Sequence, residues 1–422
     1  MQANLRLEHE LLAVESEHDV HVMVELVAPE APAQDARAPL AVSLVIDRSG
    51  SMAGRKLQVT RGCAAFLAQR LGPGDHLSLV AYDDEVQLLA PLVPVGEHRE
   101  ALLATIGRIS SGGSTNLSGG WLKGVETLDG APEGAARRVV LLSDGLANVG
   151  ITDRGSLRRM AERALGASGT RTSTIGFGAD FDEDLMTEMA EAGGGAAYFA
   201  ETPDDAPGIF GREFSDLISL VAQNVSVEIR PEAEVRFLGV LNEFPTVPVP
   251  GGVQVQLGDA YGRERRRVVF RLHVPGLAAL GPHRVAEVVL RYVGVGAEIA
   301  HHELRIPVMV NLVSADEAAA ASPDAEVTEE VVVLSSAKAL EEARELADAG
   351  DHEAARRLLE RTASELSERA RGSSRAAELL DQAGFLRRSA EVMGAMAYDP
   401  LERKRIHYRA HETRRGRPRP SP

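Results

Sequence analysis

The sequence is poor in cysteine and in aromatic residues. Cys63 is its one cysteine, so an internal disulfide is impossible and the chain fits a reducing compartment. Aromatic residues make up only 4% of the 422 residues, so the cores must be filled mostly by Val, Leu, Ile and Ala. Cys63 lies on an apolar helix face and is expected to be a small buried hydrophobe.

Long apolar runs are also missing. No stretch reaches the roughly eighteen apolar residues that indicate a membrane-spanning helix. A secretory signal needs an apolar stretch near the N-terminus, where this chain carries Glu8, Glu10, Glu15 and Glu17. We therefore expect a cytoplasmic protein with neither a signal peptide nor a membrane span.

Positive charge is in deficit. The chain has 46 Lys and Arg against 62 Asp and Glu, a net charge of −16. The resulting field repels phosphate, which disfavours general binding of nucleic acid or of an anionic membrane. Hydrophobic residues make up 44% of the chain, which excludes wholesale disorder. At about 150 residues per domain, the length indicates two or three folded units.

Short apolar runs alternate with helical patterns over residues 40–222. LAVSLVI (40–46) and RRVVLLS (137–143) are typical of strands that are buried on both faces. VQLLAPL (86–92) is predicted to be an edge strand. The regular alternation predicts an α/β fold with a doubly wound, mostly parallel sheet covered by helices on both sides.

The rest of the chain divides into four further regions. Residues 1–39 contain strands followed by an Ala/Pro-rich linker at 28–39. We expect the strands to pair with an antiparallel β-sandwich at 223–313, so that the α/β unit is an insertion into the sandwich. Residues 314–328 are predicted to be a linker. Residues 329–397 are predicted to form a helical bundle that could join two copies of the chain, and residues 398–422 a disordered basic tail.

Polar side chains cluster in three loops of the α/β unit. Asp47, Ser49 and Ser51 follow the first buried strand directly, Thr115 lies in a Gly/Ser loop before a helix, and Asp144 follows a third buried strand. Ligands of doubly wound sheets bind beyond the carboxyl ends of the strands, so we expect these side chains to converge. A set of oxygen ligands with few charges suits a hard divalent cation.

Two carboxylates in one crevice should also repel each other. We expect no lysine side chain to lie between the carboxylates of Asp47 and Asp144 in the crevice. Arg48 could offset their repulsion only if its side chain pointed inward. A bound cation would relieve the repulsion.

Residues 40–203 resemble a von Willebrand factor type A domain. The segments IDRSGSM, GGSTNL, LLSDGLANVG and IGFGADFDEDLM are similar to bacterial stand-alone members of this family. The trailing sandwich is similar in layout to the inter-alpha-trypsin inhibitor heavy chains. The metal-ion-dependent adhesion site of the family is Asp-x-Ser-x-Ser with a distant Thr and a distant Asp, and all five positions are matched here.

The resemblance implies a metal-dependent interaction module that is not an enzyme. It implies Ser49, Ser51 and Thr115 as metal ligands, with Asp47 and Asp144 binding directly or through water. The implied ion is Mg²⁺, with Mn²⁺ or Ca²⁺ as alternatives, and an Asp or Glu of a partner protein would fill the open coordination position. The resemblance also suggests a MoxR-type AAA+ ATPase as the partner.

Two alternative functions stay open. A metal-dependent hydrolase could use the same Asp, Ser and Thr side chains. Haloacid-dehalogenase phosphatases, however, need a second Asp where this chain has Ser49, and the sequence contains neither a Walker-type loop nor a G-x-S-x-G elbow. The other alternative is a scaffold that binds nucleic acid through the basic residues at 403–419.

Overall fold

The structure, a computed structural model, describes four stretches of the chain: 1–31, 37–295, 300–395 and 398–415. These stretches form two compact units, of which residues 31–220 make up the first. The second is built from the segments on either side, 1–30 and 221–294, together with the C-terminal segment. Part of the linker predicted before residue 40, residues 32–36, lies outside the described residues.

The chain begins with three strands of the second unit. They are β1 (Gln2–Leu7), β2 (Leu11–Ala13) and β3 (His18–Val27).

The first unit is an α/β fold, as predicted. Its strands are β4 (Leu40–Asp47), β5 (His76–Tyr82), β6 (Val86–Pro94), β7 (Ala136–Ser143), β8 (Arg171–Phe177) and β9 (Gly194–Ala200). Its helices are α1 (Arg55–Arg70), α2 (Val95–Gly107), α3 (Leu117–Thr127), α4 (Arg154–Ser168), α5 (Glu183–Ala192) and α6 (Ala206–Ile218). The α/β region predicted at 40–222 therefore ends four residues early, since α6 ends at Ile218 and the next strand already begins at Leu220.

The sheet of the first unit has the strand order β6-β5-β4-β7-β8-β9. Every neighbouring pair is parallel except β5 and β6, and β6 is the edge strand that the sequence predicts. The chain moves from β4 to β5 on one side and later returns to β7 on the other. The carboxyl ends of β4 and β7 therefore form the switch point at which such sheets bind ligands.

The second unit contains two further sheets. Its additional strands are β10 (Leu220–Pro231), β11 (Arg236–Val240), β12 (Thr246–Val249), β13 (Gly252–Tyr261), β14 (Arg265–Val274), β15 (Gly281–Gly294) and β16 (Ala300–Val313). The sheet orders are β1-β3-β14-β11 and β12-β13-β10-β15-β16-β2. The paired registers are antiparallel apart from β2, which runs parallel to β16.

One hydrophobic core lies between these two sheets. Val24 and Phe270 of the four-stranded sheet share it with Val227 and Leu290 of the six-stranded sheet. The residues alternate along each strand, so Met23 points to the opposite face and packs against the helix at Leu334. The four-stranded sheet is thus covered on both faces.

The C-terminal segment is helical throughout most of its described length. Its helices are α7 (Ala315–Ala320), α8 (Ala325–Asp348), α9 (His352–Arg369), α10 (Ala376–Gly394) and α11 (Pro400–Arg414). The predicted linker at 314–328 is wrong in two places, because Ser314 caps α7 in a capping box and Asp324 caps α8. Each of these helices, like the others in the described stretches, is too short or too polar to span a bilayer.

The prediction of a disordered basic tail is wrong for residues 400–414. Ile406 and Tyr408 of α11 are buried, and Arg409 donates to Asp381 at 2.6 Å. Burial of one helix face and internal ion pairs outweigh the high charge of this segment. Residues 416–422 lie outside the described residues.

Candidate metal centre

Asp47 ends β4 with both carboxylate oxygens accepting hydrogen bonds. The backbone N–H of Ser49 donates to Oδ1 at 2.8 Å, and the hydroxyl of Ser143 donates to Oδ2 at 2.7 Å. Burial of this carboxyl raises its pKa, the hydrogen bonds from Ser143 and Ser49 oppose that change, and the negative charge of Asp144 adds to it. A cation would therefore stabilise the ionised form of Asp47.

Asp144 follows β7 and is linked to the serines of the first loop. Ser51 Oγ donates to Asp144 Oδ1 at 2.7 Å, and the Oγ atoms of Ser49 and Ser51 lie 3.1 Å apart. Asp144 and Ser49 are buried, whereas Ser51 is exposed. The cluster is therefore open to solvent at Ser51.

Thr115 reaches the cluster from the Gly/Ser loop that precedes α3. A Cβ atom at position 145 would lie 3.2 Å from Thr115 Oγ1 and 3.8 Å from Ser51 Oγ, so both hydroxyls flank the backbone of Gly145. Asn148 holds Thr115 in place, because its Oδ1 accepts from the Thr115 N–H at 3.0 Å and its own N–H donates to the Thr115 carbonyl at 3.3 Å. Asn148 is a supporting residue that the motif does not predict.

The first loop and the Gly/Ser loop are joined through their backbones. The Gly112 N–H donates to the Arg48 carbonyl at 2.7 Å, and the Gly50 N–H donates to the Gly113 carbonyl at 2.9 Å. A Cβ on Gly112 would lie 1.7 Å from Asp83 Oδ2, so this close approach requires glycine. Arg48 pairs with Asp83 at 3.0 Å, and its charge is therefore directed at that carboxylate.

Lys56 belongs to this cluster although the motif does not predict it. Its Nζ forms an ion pair with Asp144 Oδ2, so the expectation of two carboxylates without a lysine between them is wrong. The Lys56 side chain is 26% exposed and that of Asp144 is fully buried, so the lysine reaches inward from the surface. The sequence contains one indication of this ion pair. A cation in the first turn of α1 is destabilised by the positive end of the helix dipole, so a nearby acidic side chain is expected to compensate it.

The structure thus brings the five predicted side chains to one place. Ser49, Ser51 and Asp144 form a hydrogen-bonded chain, with Asp47 and Thr115 beside it. All the atoms that could ligate a metal are oxygens, and two of the groups are buried acids. The cluster faces solvent on one side. This donor set fits a hard divalent cation.

Comparison with known proteins supports the sequence resemblance. Residues 42–212 match the family described as von Willebrand factor type A domain. This segment is a VWA domain. The matched segment contains all five predicted site residues, and the VWA domain corresponds to most of the first unit.

The relatives of the chain include bacterial, animal and plant proteins. An uncharacterized protein from Synechocystis is 26% identical over 277 residues, which cover 63% of this chain and 64% of that protein. Inter-alpha-trypsin inhibitor heavy chain H4 from Bos taurus is 32% identical over 186 residues, 42% of this chain and 20% of that protein. The E3 ubiquitin-protein ligase WAV3 from Arabidopsis thaliana is 28% identical over 253 residues, 57% of this chain and 32% of that protein.

These relatives are matched over less than two thirds of their own length. A solved structure covers more of the chain. The von Willebrand factor type A protein from Catenulispora acidiphila aligns with 99% of this chain and 97% of its own, with a TM-score of 0.75 and 18% identity. At this identity the similarity shows that the fold is shared.

Proposed function

We propose that the VWA domain is a protein-binding module that depends on a divalent cation, Mg²⁺ in the first place. Five side chains would hold the ion: Asp47, Ser49, Ser51, Thr115 and Asp144. The observation that carries this proposal is the meeting of these oxygen groups at the carboxyl ends of β4 and β7, with Ser51 open to solvent. The bound ion would supply the positive charge to which an Asp or Glu of a partner protein binds.

The neighbouring groups orient the ligands for this task. Ser143 and the Ser49 N–H fix both oxygens of Asp47, and Asn148 fixes the loop that carries Thr115. Ligands that are already held in place lose little conformational freedom when an ion binds.

The loop after Asp144 suggests what surrounds the partner carboxylate. Leu146 is 56% exposed and Ile151 is 40% exposed, and both belong to this loop. We expect a partner segment in which the acidic residue has an apolar neighbour, because apolar contacts strengthen a single ionic contact. A MoxR-type AAA+ ATPase remains our candidate for the partner.

We propose a binding role in preference to hydrolysis. Ser49 occupies the position at which haloacid-dehalogenase phosphatases carry their second Asp, and a serine hydroxyl cannot serve as the acid and base at neutral pH.

Two earlier expectations about partners stay predictions. Self-association through the C-terminal helices would use faces outside the core that α8 to α11 share. Nucleic-acid binding through the basic segment has less support, because Arg409 pairs with Asp381 and Arg414 pairs with Glu243 and Glu341.

Mg²⁺ titration of the full chain by isothermal calorimetry tests the proposal. Ser51→Ala should weaken Mg²⁺ binding by about tenfold or more, because it removes a ligand and the hydrogen bond to Asp144. Ser215→Ala makes the same chemical change on α6, where the hydroxyl bonds the Gly211 carbonyl, and should leave binding unchanged.

A second step tests partner binding. The chain with Mg²⁺ should retain a purified candidate partner, and both EDTA and Ser51→Ala should abolish retention. Equal Mg²⁺ affinity in the two serine variants, or retention that ignores EDTA, would contradict the proposal.

A further inference from the structure

Lys56 forms an ion pair with one of the two carboxylate oxygens of Asp144, a proposed metal ligand. Its Nζ contacts Asp144 Oδ2, while Ser51 donates to Oδ1 of the same carboxylate at 2.7 Å. A Cβ at Gly178 would lie 3.8 Å from Lys56 Nζ, which places the ammonium group beside the end of β8. The lysine therefore approaches Asp144 at the mouth of the proposed metal centre.

The position of Lys56 is costly unless the ion pair forms. Lys56 is in the first turn of α1, where the helix dipole is positive, and no acidic residue of that turn compensates it. Asp144 is fully buried, and a buried carboxylate needs a counter-ion or hydrogen-bond donors. Each group thus relieves the electrostatic cost of the other.

A divalent cation and the Lys56 ammonium group would both be attracted to Asp144. Two positive charges at one carboxylate repel each other, so binding of the ion must displace the ammonium group or tolerate it nearby. Either outcome weakens binding of the ion compared with a site that has no lysine.

We propose that Lys56 is an internal counter-ion that holds Asp144 when no metal is bound and lowers the affinity of the site for divalent cations. This inference rests on the proposed function, because it concerns the same site. Lys56 acts as a positioning residue: it stabilises the metal-free domain and keeps binding of the ion reversible.

The neighbouring residue supplies a matched control. Arg55 also lies in the first turn of α1, but it pairs with Asp204 at the surface, where the two side chains are 67% and 70% exposed. Lys56→Met and Arg55→Met remove the same charge from adjacent positions. An effect of net charge or of the helix dipole would appear in both variants, whereas competition at Asp144 would appear only in Lys56→Met.

The experiment measures Mg²⁺ affinity by calorimetry and the unfolding temperature in EDTA, both on the full chain. Lys56→Met should bind Mg²⁺ about tenfold more tightly than the wild type, because a competing positive charge is gone. Its unfolding temperature in EDTA should fall, because Asp144 loses its counter-ion. Arg55→Met should change neither quantity.

Two further variants keep the inference testable if Lys56→Met fails to fold. Lys56→Gln keeps a hydrogen-bond donor for Asp144 without the charge, and it should also tighten Mg²⁺ binding. Lys56→Arg retains the charge and should not. Mg²⁺ affinity that is unchanged or weaker in both Lys56→Met and Lys56→Gln would overturn the inference.

The same titrations separate this inference from the proposed function. If the wild type binds Mg²⁺ and the Lys56 variants bind it no better, the inference fails and the proposed function stands. If only the Lys56 variants bind Mg²⁺, the counter-ion role holds and metal-dependent binding by the natural chain fails. If none binds Mg²⁺, both fail.

Discussion

Two buried carboxylates, one in each unit of the molecule, are compensated in opposite ways. Glu330 on α8, in the second unit, is 3% exposed and accepts from Arg267 at 3.0 Å and from Arg375 at 2.7 Å. In the first unit, Asp47 accepts from a backbone N–H and a hydroxyl, which are neutral donors, and burial raises its pKa. One acid is matched by two full positive charges and the other by partial charges.

This difference separates a structural acid from a candidate ligand. Glu330 joins a helix to a strand and a loop of the same unit, and its charge is already compensated. Asp47 lies at the carboxyl end of β4, beside the parallel neighbour β7, and its environment still favours an added cation. Both acids are buried, so it is the charge balance around them that distinguishes Glu330 from Asp47.

The comparison of Glu330 with Asp47 predicts its largest effect on stability for a substitution of Glu330. Glu330→Ala leaves two guanidinium groups without their shared partner and should lower the free energy of unfolding by about 3–5 kcal/mol. Glu378→Ala is the control, because Glu378 also bonds Arg375, at 2.6 Å, but its side chain is 42% exposed. That variant should cost less than about 1 kcal/mol. Urea denaturation followed by circular dichroism measures both, and equal losses would refute the structural role of Glu330.

A smaller effect is expected from the loop that carries Thr115. Gly112→Ala places a Cβ against Asp83 Oδ2 and should cost about 1–3 kcal/mol, as other overpacked sites do. The loop must shift, so the Mg²⁺ affinity of the domain should fall as well. Gly74→Ala, whose Cβ would meet nothing within 4 Å, is the control for both measurements. Unaltered Mg²⁺ binding in Gly112→Ala would show that the position of this loop does not matter.

Asp47→Asn should leave metal-free stability within about 1 kcal/mol of the wild type or raise it, while Mg²⁺ binding is lost. Burial raises the pKa of Asp47 above its unfolded value. The folded state therefore favours the protonated carboxyl of Asp47. This preference stabilises the protein fully below the ordinary Asp pKa, and the stabilisation is lost as the pH rises through the raised pKa. The wild type should gain stability relative to Asp47→Asn on acidification. Melting curves in EDTA between neutral pH and pH 4 check this, and a relative loss would contradict it.

The smallest effect is expected at Cys63, whose thiol should hardly react with thiol reagents in the folded protein. A buried group without a counter-charge stays neutral. Burial raises the pKa of its thiol to about 11, so almost no thiolate exists at pH 8. The folded protein should resist thiol reagents at pH 8, and the protein in urea should react fully. Rapid labelling of the folded chain would show that the thiol is accessible and ionised.

The α/β fold could be predicted from short-range patterns. Runs such as that of β4, in which all eight residues are buried, indicate a sheet that is covered on both faces. The convergence of Asp47 and Asp144 could be anticipated too, because parallel strands bring their carboxyl ends to the same edge. Whether these residues bind a metal remains a prediction.

The C-terminal region could not be predicted in the same way. Residues 400–414 are rich in Arg and Lys, a composition that favours disorder for an isolated segment. Burial of Ile406 and the ion pairs of Arg414 with Glu243 and Glu341 depend on partners far away in sequence. The three-residue strand β2 is similar, because its pairing with β16 joins positions about three hundred residues apart.

The amino-acid sequence by itself determined the α/β class and the identity of the oxygen-bearing residues, since apolar runs and loop motifs depend on near neighbours. Only the tertiary structure decided that Lys56 reaches Asp144, that Arg48 turns to Asp83 and that the basic segment becomes a helix. Charged side chains are long and find their partners through space, so their pairing follows the packing of whole elements.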